Sequence, residues 1–166
     1  AIQTPSVQSY ITQKVLTSLN EQFGTSIEVG GVDIDFWGDI NLYDVKAKDH
    51  RDLDFIKIPK LTADISLWRI YRNSSDIRVK KLDLENAHIQ VKTYEGDSIS
   101  NFIRFIDKFI IEDSEDDSEF KIRGDVKIIN SKLSIINYNL DPKKQVWLDA
   151  ENFNTLISDV NVSGSA

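Results

Sequence analysis

The side chains able to do chemistry are sparse in this chain and poorly spaced for working together. There are two histidines and no cysteine. His50 lies in the polar run Lys48-Asp49-His50-Arg51-Asp52, and His88 follows Asn86-Ala87 at a strand entry. No motif joins them, so each reads as a surface residue. A metal centre needs three or four convergent ligands, and none can be assembled. The lack of cysteine removes disulfides, thiolate metal sites and cysteine nucleophiles. Asp33 and Asp35 alternate with Val32, Ile34 and Phe36, which is the wet side of a half-buried strand rather than an acid–base pair. No phosphate-cradling glycine loop or G-x-S-x-G elbow is present. The expectation is a chain that is not an enzyme and needs no cofactor.

Charge narrows the partners. Acidic residues outnumber basic ones by 27 to 20, a formal charge of -7, and a field of that sign repels phosphate backbones and excludes nucleic acid as a main partner. The acidic run Glu112, Asp113, Glu115, Asp116, Asp117 and Glu119 lacks the glycine and spacing of a calcium loop, so 112–119 reads as a solvated loop. With 166 residues, 40% of them hydrophobic, the chain is expected to fold as a single domain over 1–166. No apolar run approaches the roughly 20 residues that span a bilayer. A start at Ala1 and an end at Ser163-Gly164-Ser165-Ala166, just past a strand-like stretch, suggest a piece of something longer.

The elements follow from periodicity. Thr4-Pro5 begins a helix in which Val7, Ile11, Val15, Leu19 and Phe23 recur every four residues, and Gly24 ends it; 5–23 is an amphipathic helix. From there the period is two, with extra steps. Ile27 and Val29 lead to Val32 and Ile34 across Gly30-Gly31. Ile40 and Leu42 lead to Val45 and Ala47, and Ile56 and Ile58 to Leu61, Ala63 and Ile65 across Pro59-Lys60. Ile77 and Val79 lead to Leu82 and Leu84 across Lys80-Lys81. Near the end, Val146, Leu148 and Ala150 lead to Phe153, and Ile157 to Val160. One additional residue turns a strand's apolar set to the wrong side unless the backbone bulges, so these are read as strands kinked once each. Steps of irregular length argue for a meander rather than a solenoid.

The strands 26–95 form a first meander and 120–162 a second, with turns at Asn130-Ser131 and Asn139-Leu140-Asp141-Pro142. Between them Ser98 caps an apolar helix over 98–111 carrying Ile99, Phe102, Ile103, Ile106, Phe109 and Ile110. Leu67-Trp68-Arg69-Ile70-Tyr71 reads as a further short helix, and Trp37, Trp68 and Trp147 as core or edge packing. The fold class is α+β, mainly antiparallel β: a curled, bulged sheet with two helices.

The run Ser26-Ile27-Glu28-Val29-Gly30-Gly31-Val32-Asp33-Ile34-Asp35-Phe36, then Ile40-Asn41-Leu42-Tyr43-Asp44-Val45-Lys46-Ala47, Lys60-Leu61-Thr62-Ala63-Asp64-Ile65 and Ile77-Arg78-Val79-Lys80-Lys81-Leu82-Asp83-Leu84, resembles the N-terminal region of TamB-like proteins, in the AsmA-like superfamily, in the style of the Bacteroidota. The likeness covers residues 2–95 and thins over 96–166. It implies a periplasmic protein held in the inner membrane by an anchor preceding Ala1, extending as a β-taco with an apolar groove. It also implies a part in phospholipid transport and outer-membrane biogenesis, including protein assembly or secretion, with phospholipid acyl chains as cargo. A BamA- or TamA-like outer-membrane barrel protein is implied as a partner of a C-terminal region not in this sequence.

In-phase apolar positions give the groove candidates: Ile77, Val79, Leu82, Leu84, Ile89, Val91, Val126, Ile128, Leu133 and Ile135. The same residues would equally suit a closed module that caps a larger assembly, roofed by the two helices.

Overall fold

The computed structural model describes residues 24–35, 39–65, 77–108 and 119–165, together with Tyr10, Gln13, Lys14, Leu16, Thr17, Asn20 and Glu21. Those separate N-terminal positions are helical. The apolar stripe expected on that helix, the short helix at 67–71 and residues 112–118 of the expected 112–119 loop lie outside the described residues, and Glu119 belongs to a strand.

Alternation of apolar and polar residues produces strands, as expected: β1 (Ile27–Glu28), β2 (Gly31–Ile34), β3 (Asp39–Lys48), β4 (Asp54–Ile65), β5 (Ile77–Glu85), β6 (His88–Thr93), β7 (Glu119–Asn137) and β8 (Val146–Ser165). One sheet holds all of them. β1 and β2 pair β3, β3 pairs β4, β4 pairs both β5 and β6, both of these pair β7, and β8 pairs β7 at the end. Most pairs are antiparallel, but β5 and β6 run parallel to β7. The expected meander therefore fails at this step. A parallel pair needs a crossover, and the connection from β6 to β7 supplies it with the helix α1 (Asn101–Asp107).

The extra steps are kinks, and they line up. Asp44, Asn86, Asn130 and Asn152 take positive φ values of 52, 55, 45 and 54. Short polar side chains visit the left-handed region at lower cost than other residues, which explains the residue types. The register puts these positions side by side. Tyr43 pairs Lys60 and Val45 pairs Ile58, so Asp44 faces Pro59. Lys60 pairs Glu85 and Lys57 pairs His88, so Pro59 faces Asn86. Glu85 pairs Ile129 and His88 pairs Lys132, so Asn86 faces Asn130, whose Nδ2 donates to Asn86 Oδ1 at 3.0 Å. The Asn130 N–H donates to Asn154 Oδ1 at 2.9 Å. Pro59, which has no N–H, sits where the ladder is already interrupted.

Asn130-Ser131 is therefore not a turn. It is a kink within β7, and buried Ser131 repairs the ladder there: its Oγ accepts from the Ala87 N–H at 3.0 Å and donates to the Ile129 carbonyl at 2.9 Å. A second row of irregularities crosses nearer the other end of the strands. It runs through the register shifts at Asp64/Ile65 and Val79/Lys81, then Gly124 (φ 151) and Asp159 (φ 56).

The helix α1 begins later than the pattern predicts. Ser100, not Ser98, caps it, with its Oγ accepting the Ile103 N–H at 3.3 Å. Its rotation also differs. Asn101 is fully buried, and Phe105, one turn on, meets buried Phe55 edge-on with ring centroids 5.3 Å apart. Residues four apart share a helix face, so turning 101 and 105 inward leaves Phe102 and Ile103 exposed.

Candidate functional site

The groove candidates come together, because the parallel ladder pairs them. Leu82 lies beside Val126, Leu84 beside Ile128, Ile89 beside Leu133 and Val91 beside Ile135. Ile77 pairs Phe120 through the backbone, while the side chain of Ile77 lies outside the described residues. Paired residues in neighbouring strands project to the same face, so these positions form rows across the sheet. One row reads Ile40, Ala63, Leu82, Val126, Ile157, and the next Leu42, Leu61, Leu84, Ile128, Thr155. Past the kink come Ala47, Ile56, Ile89, Leu133, Ala150, and then Val91, Ile135, Leu148. No ionisable residue enters these rows.

The kink row keeps them on one side. Val45, Ile58 and Ala87 are buried together, with Ile27, Val29, Leu42, Ile56, Leu61, Leu84 and Ile89 packed around them. Leu42 and Val45 are three apart, as are Ile58 and Leu61, and would face opposite ways in a regular strand. The left-handed residue between each pair on β3, and its counterpart at Pro59 on β4, restores them to a common face.

Burial is graded along the first of these rows. Ile40 and Ala63 are buried, Leu82 and Val126 half-buried, and Ile157 exposed at 48%. Val79, at 5% exposure, belongs to the closed part, whereas Leu84, Ile89, Val91, Ile128, Leu133 and Ile135 are all half-buried. The apolar face is thus most closed at Ile40, Val45, Ala47, Ile58, Ala63 and Val79, half-open over the other row positions and most open at Ile157.

At one end of the sheet the connections gather into a polar and aromatic cluster that the sequence reading missed. His50 is exposed, as expected, but its Nε2 lies 2.7 Å from Asp97 Oδ2, tying the β3–β4 turn to the β6–α1 connection. Arg51 sits over the Tyr94 ring at 4.5 Å from the centroid, and Tyr94 stacks on Tyr138. Buried Asp49 is the hub. Its Oδ1 accepts from the backbone N–H groups of Arg51 and Leu53, and its Oδ2 from the Tyr94 hydroxyl at 2.5 Å and Asn101 Nδ2 at 3.1 Å. Asn101 also imitates a strand residue, accepting the Lys92 N–H and donating to the Gln90 carbonyl where β4 no longer reaches.

Electrostatics in the cluster serve structure. Burial pushes the Asp49 carboxyl up, but its hydrogen bonds from Tyr94, Asn101, Leu53 and Arg51 together outweigh it and hold it below its ordinary range. Burial, then the Asp49 hydrogen bond, pushes the Tyr94 hydroxyl well up. The His50 hydrogen bond holds Asp97 low. Away from the cluster, burial and then neighbouring Asp35 and Asp64 raise Asp39. Among the described residues no three His, Asp or Glu side chains group as they would around a metal ion.

Trp147 also departs from expectation. It is exposed at 76%, because Leu148 pairs Ile135 and Val146 pairs Ile136, which leaves Trp147 as the unpaired extra residue of a bulge. No helix among the described residues is long and apolar enough to cross a membrane. No family model, curated protein or solved structure matches the chain.

Proposed function

We propose that this segment holds phospholipid acyl chains along its apolar face, as the membrane-proximal part of a non-enzymatic, periplasm-spanning bridge of the TamB-like kind. The observation that carries the reading is the set of rows, apolar but for Thr155, three of which cross β3 to β8, kept on one face by the kinks and free of ionisable residues. Sequestering an acyl chain there is favourable by about 0.8 kcal/mol per buried methylene, and the absence of charge spares a sliding chain any deep local trap. In this reading the kinks curl the sheet into a trough, and the working stretch is the half-open side along β6, β7 and β8. Phospholipid transport and outer-membrane assembly are then the setting, with the barrel-protein contact made elsewhere.

A photoreactive side chain at Leu133 tests this directly. It is expected to crosslink phospholipid in cells, while the same group at Lys132, on the opposite face, is expected to give none. Equal labelling at both positions, or none at Leu133, would overturn the proposal. The closed-module reading rests on the burial of Val45, Ile58, Ala87 and Val79. It predicts no lipid at Leu133 and a protein crosslink instead.

A further inference from the structure

We propose that the β7–β8 hairpin is a membrane-surface anchor, which seats this end of the sheet in the headgroup layer of a phospholipid bilayer. Around the turn, Tyr138, Leu140, Val146 and Trp147 are exposed at 40, 47, 58 and 76%. Between them the short 3-10 turn Pro142–Lys144 presents exposed Lys143 and Lys144. Exposed tryptophan and tyrosine beside lysine suit the bilayer interface, where an amphipathic ring lies at headgroup level and an ammonium reaches phosphate.

Charge favours a bilayer over a protein. Across Tyr138–Trp147 the two lysines face one acid, Asp141, so the hairpin is locally cationic on a chain of net charge -7. Asp97, in the connection that Asn139 bonds, is paired with Arg51 at 3.4 Å, and screening over about 8 Å at physiological salt weakens the acids farther off. The cores of protein interfaces are depleted of lysine, whereas here lysines stand between the apolar side chains.

The exposure does not come from a slack loop. Asn139 accepts the Gly96 N–H at 2.8 Å and donates to the carbonyls of Tyr94 and Asp97, and Gln145 donates to the Leu140 carbonyl. The hairpin is therefore braced against the cluster around Asp49 and presents its apolar side chains preorganised. Leu53 of the β3–β4 turn and Ile103 of α1, both exposed, lie at the same end of the sheet. The apolar rows finish here too, at Val91, Ile135 and Leu148. The anchor stands on the hairpin's own chemistry and holds whether or not the face beyond it carries lipid.

The test is sedimentation of the protein with vesicles of phosphatidylethanolamine containing a minor share of phosphatidylglycerol. The unaltered protein is expected to bind. Trp147→Ser should weaken binding about tenfold, the loss of one large apolar side chain from the interface. Lys143→Glu with Lys144→Glu should weaken it and remove its salt dependence. Leu156→Ser, which removes an apolar residue exposed at 59% in mid-β8, should leave it unchanged, and all variants should keep the thermal midpoint. Failure of the unaltered protein to bind, or equal losses from Trp147→Ser and Leu156→Ser, would overturn the anchor. So would Trp147→Ser dissolving a dimer without changing vesicle binding, which would assign the hairpin to a protein partner. Lipid crosslinking at Leu133 in detergent solution reads the conduit separately, so either idea can fail alone.

Discussion

Asp49 shows how much of this end of the molecule depends on one carboxylate. Four donors from three segments converge on it. Asp49→Ala strands the Tyr94 hydroxyl and an Asn101 N–H in a buried place, so a loss of about 3 kcal/mol is expected in chemical denaturation. Asp49→Asn retains one oxygen but turns an N–H toward the Asn101 donor, and should fall between the two. The pH dependence has a definite sign. The folded-state pKa of Asp49 is depressed, so the folded protein binds fewer protons there than the unfolded chain does. That stabilisation is fully present above the ordinary aspartate value of about 3.9 and is lost as pH falls through the folded value. Asp97 acts in the same direction. Acid titration of stability should therefore show a steeper fall below about pH 4 in the unaltered protein than in Asp49→Asn, and parallel curves would remove Asp49 from the account.

The elements are ordered by their kinks. Gly124 is the least replaceable residue of the second row, because a Cβ there would overlap the Lys80 carbonyl oxygen on the neighbouring strand, and its φ of 151 is one that side chains rarely adopt. Gly124→Ala is expected to cost about 3 kcal/mol or more, measured by denaturant melting. Asn130→Gly should cost far less, since glycine accepts the left-handed backbone and only the side-chain bond to Asn86 is lost. Much of this was legible from alternation alone. The extra steps at Gly30-Gly31, Lys80-Lys81 and before Phe153 and Val160 coincide with real irregularities, because a solvated and a buried face leave no other way to keep phase. Asn130-Ser131 was misread as a turn because a left-handed asparagine looks the same in a kink as in a hairpin. The parallel pairing of β5 and β6 with β7 had no local signal, since pairing direction is settled by the crossover and not by the strands. The Asp49 cluster was equally silent: its members lie some 45 to 52 residues apart in sequence and meet only when three connections gather at one end.

At the scale of the whole molecule, the difference in burial between positions of the apolar face can tell a conduit from a sealed core, and charged substitutions can read it. Val79 is 5% exposed in the closed part of the face, so Val79→Glu must bury a carboxylate with no partner. It should unfold the protein or lower its thermal midpoint severely. Ile135 is half-buried on β7 beside Val91 and Leu148, near the open end of the rows, where a glutamate can reach water. Ile135→Glu should therefore leave the melt nearly unchanged and yet place a charge in the path proposed for an acyl chain. In a cell that depends on this protein, it is expected to abolish lipid crosslinking at Leu133 and weaken outer-membrane integrity while the protein stays at normal abundance. If Ile135→Glu instead melts the protein as Val79→Glu does, the face is sealed to its edge, and a capping module describes the segment better than a trough. If it folds and lipid labelling persists undiminished, the lipid lies elsewhere than along these rows.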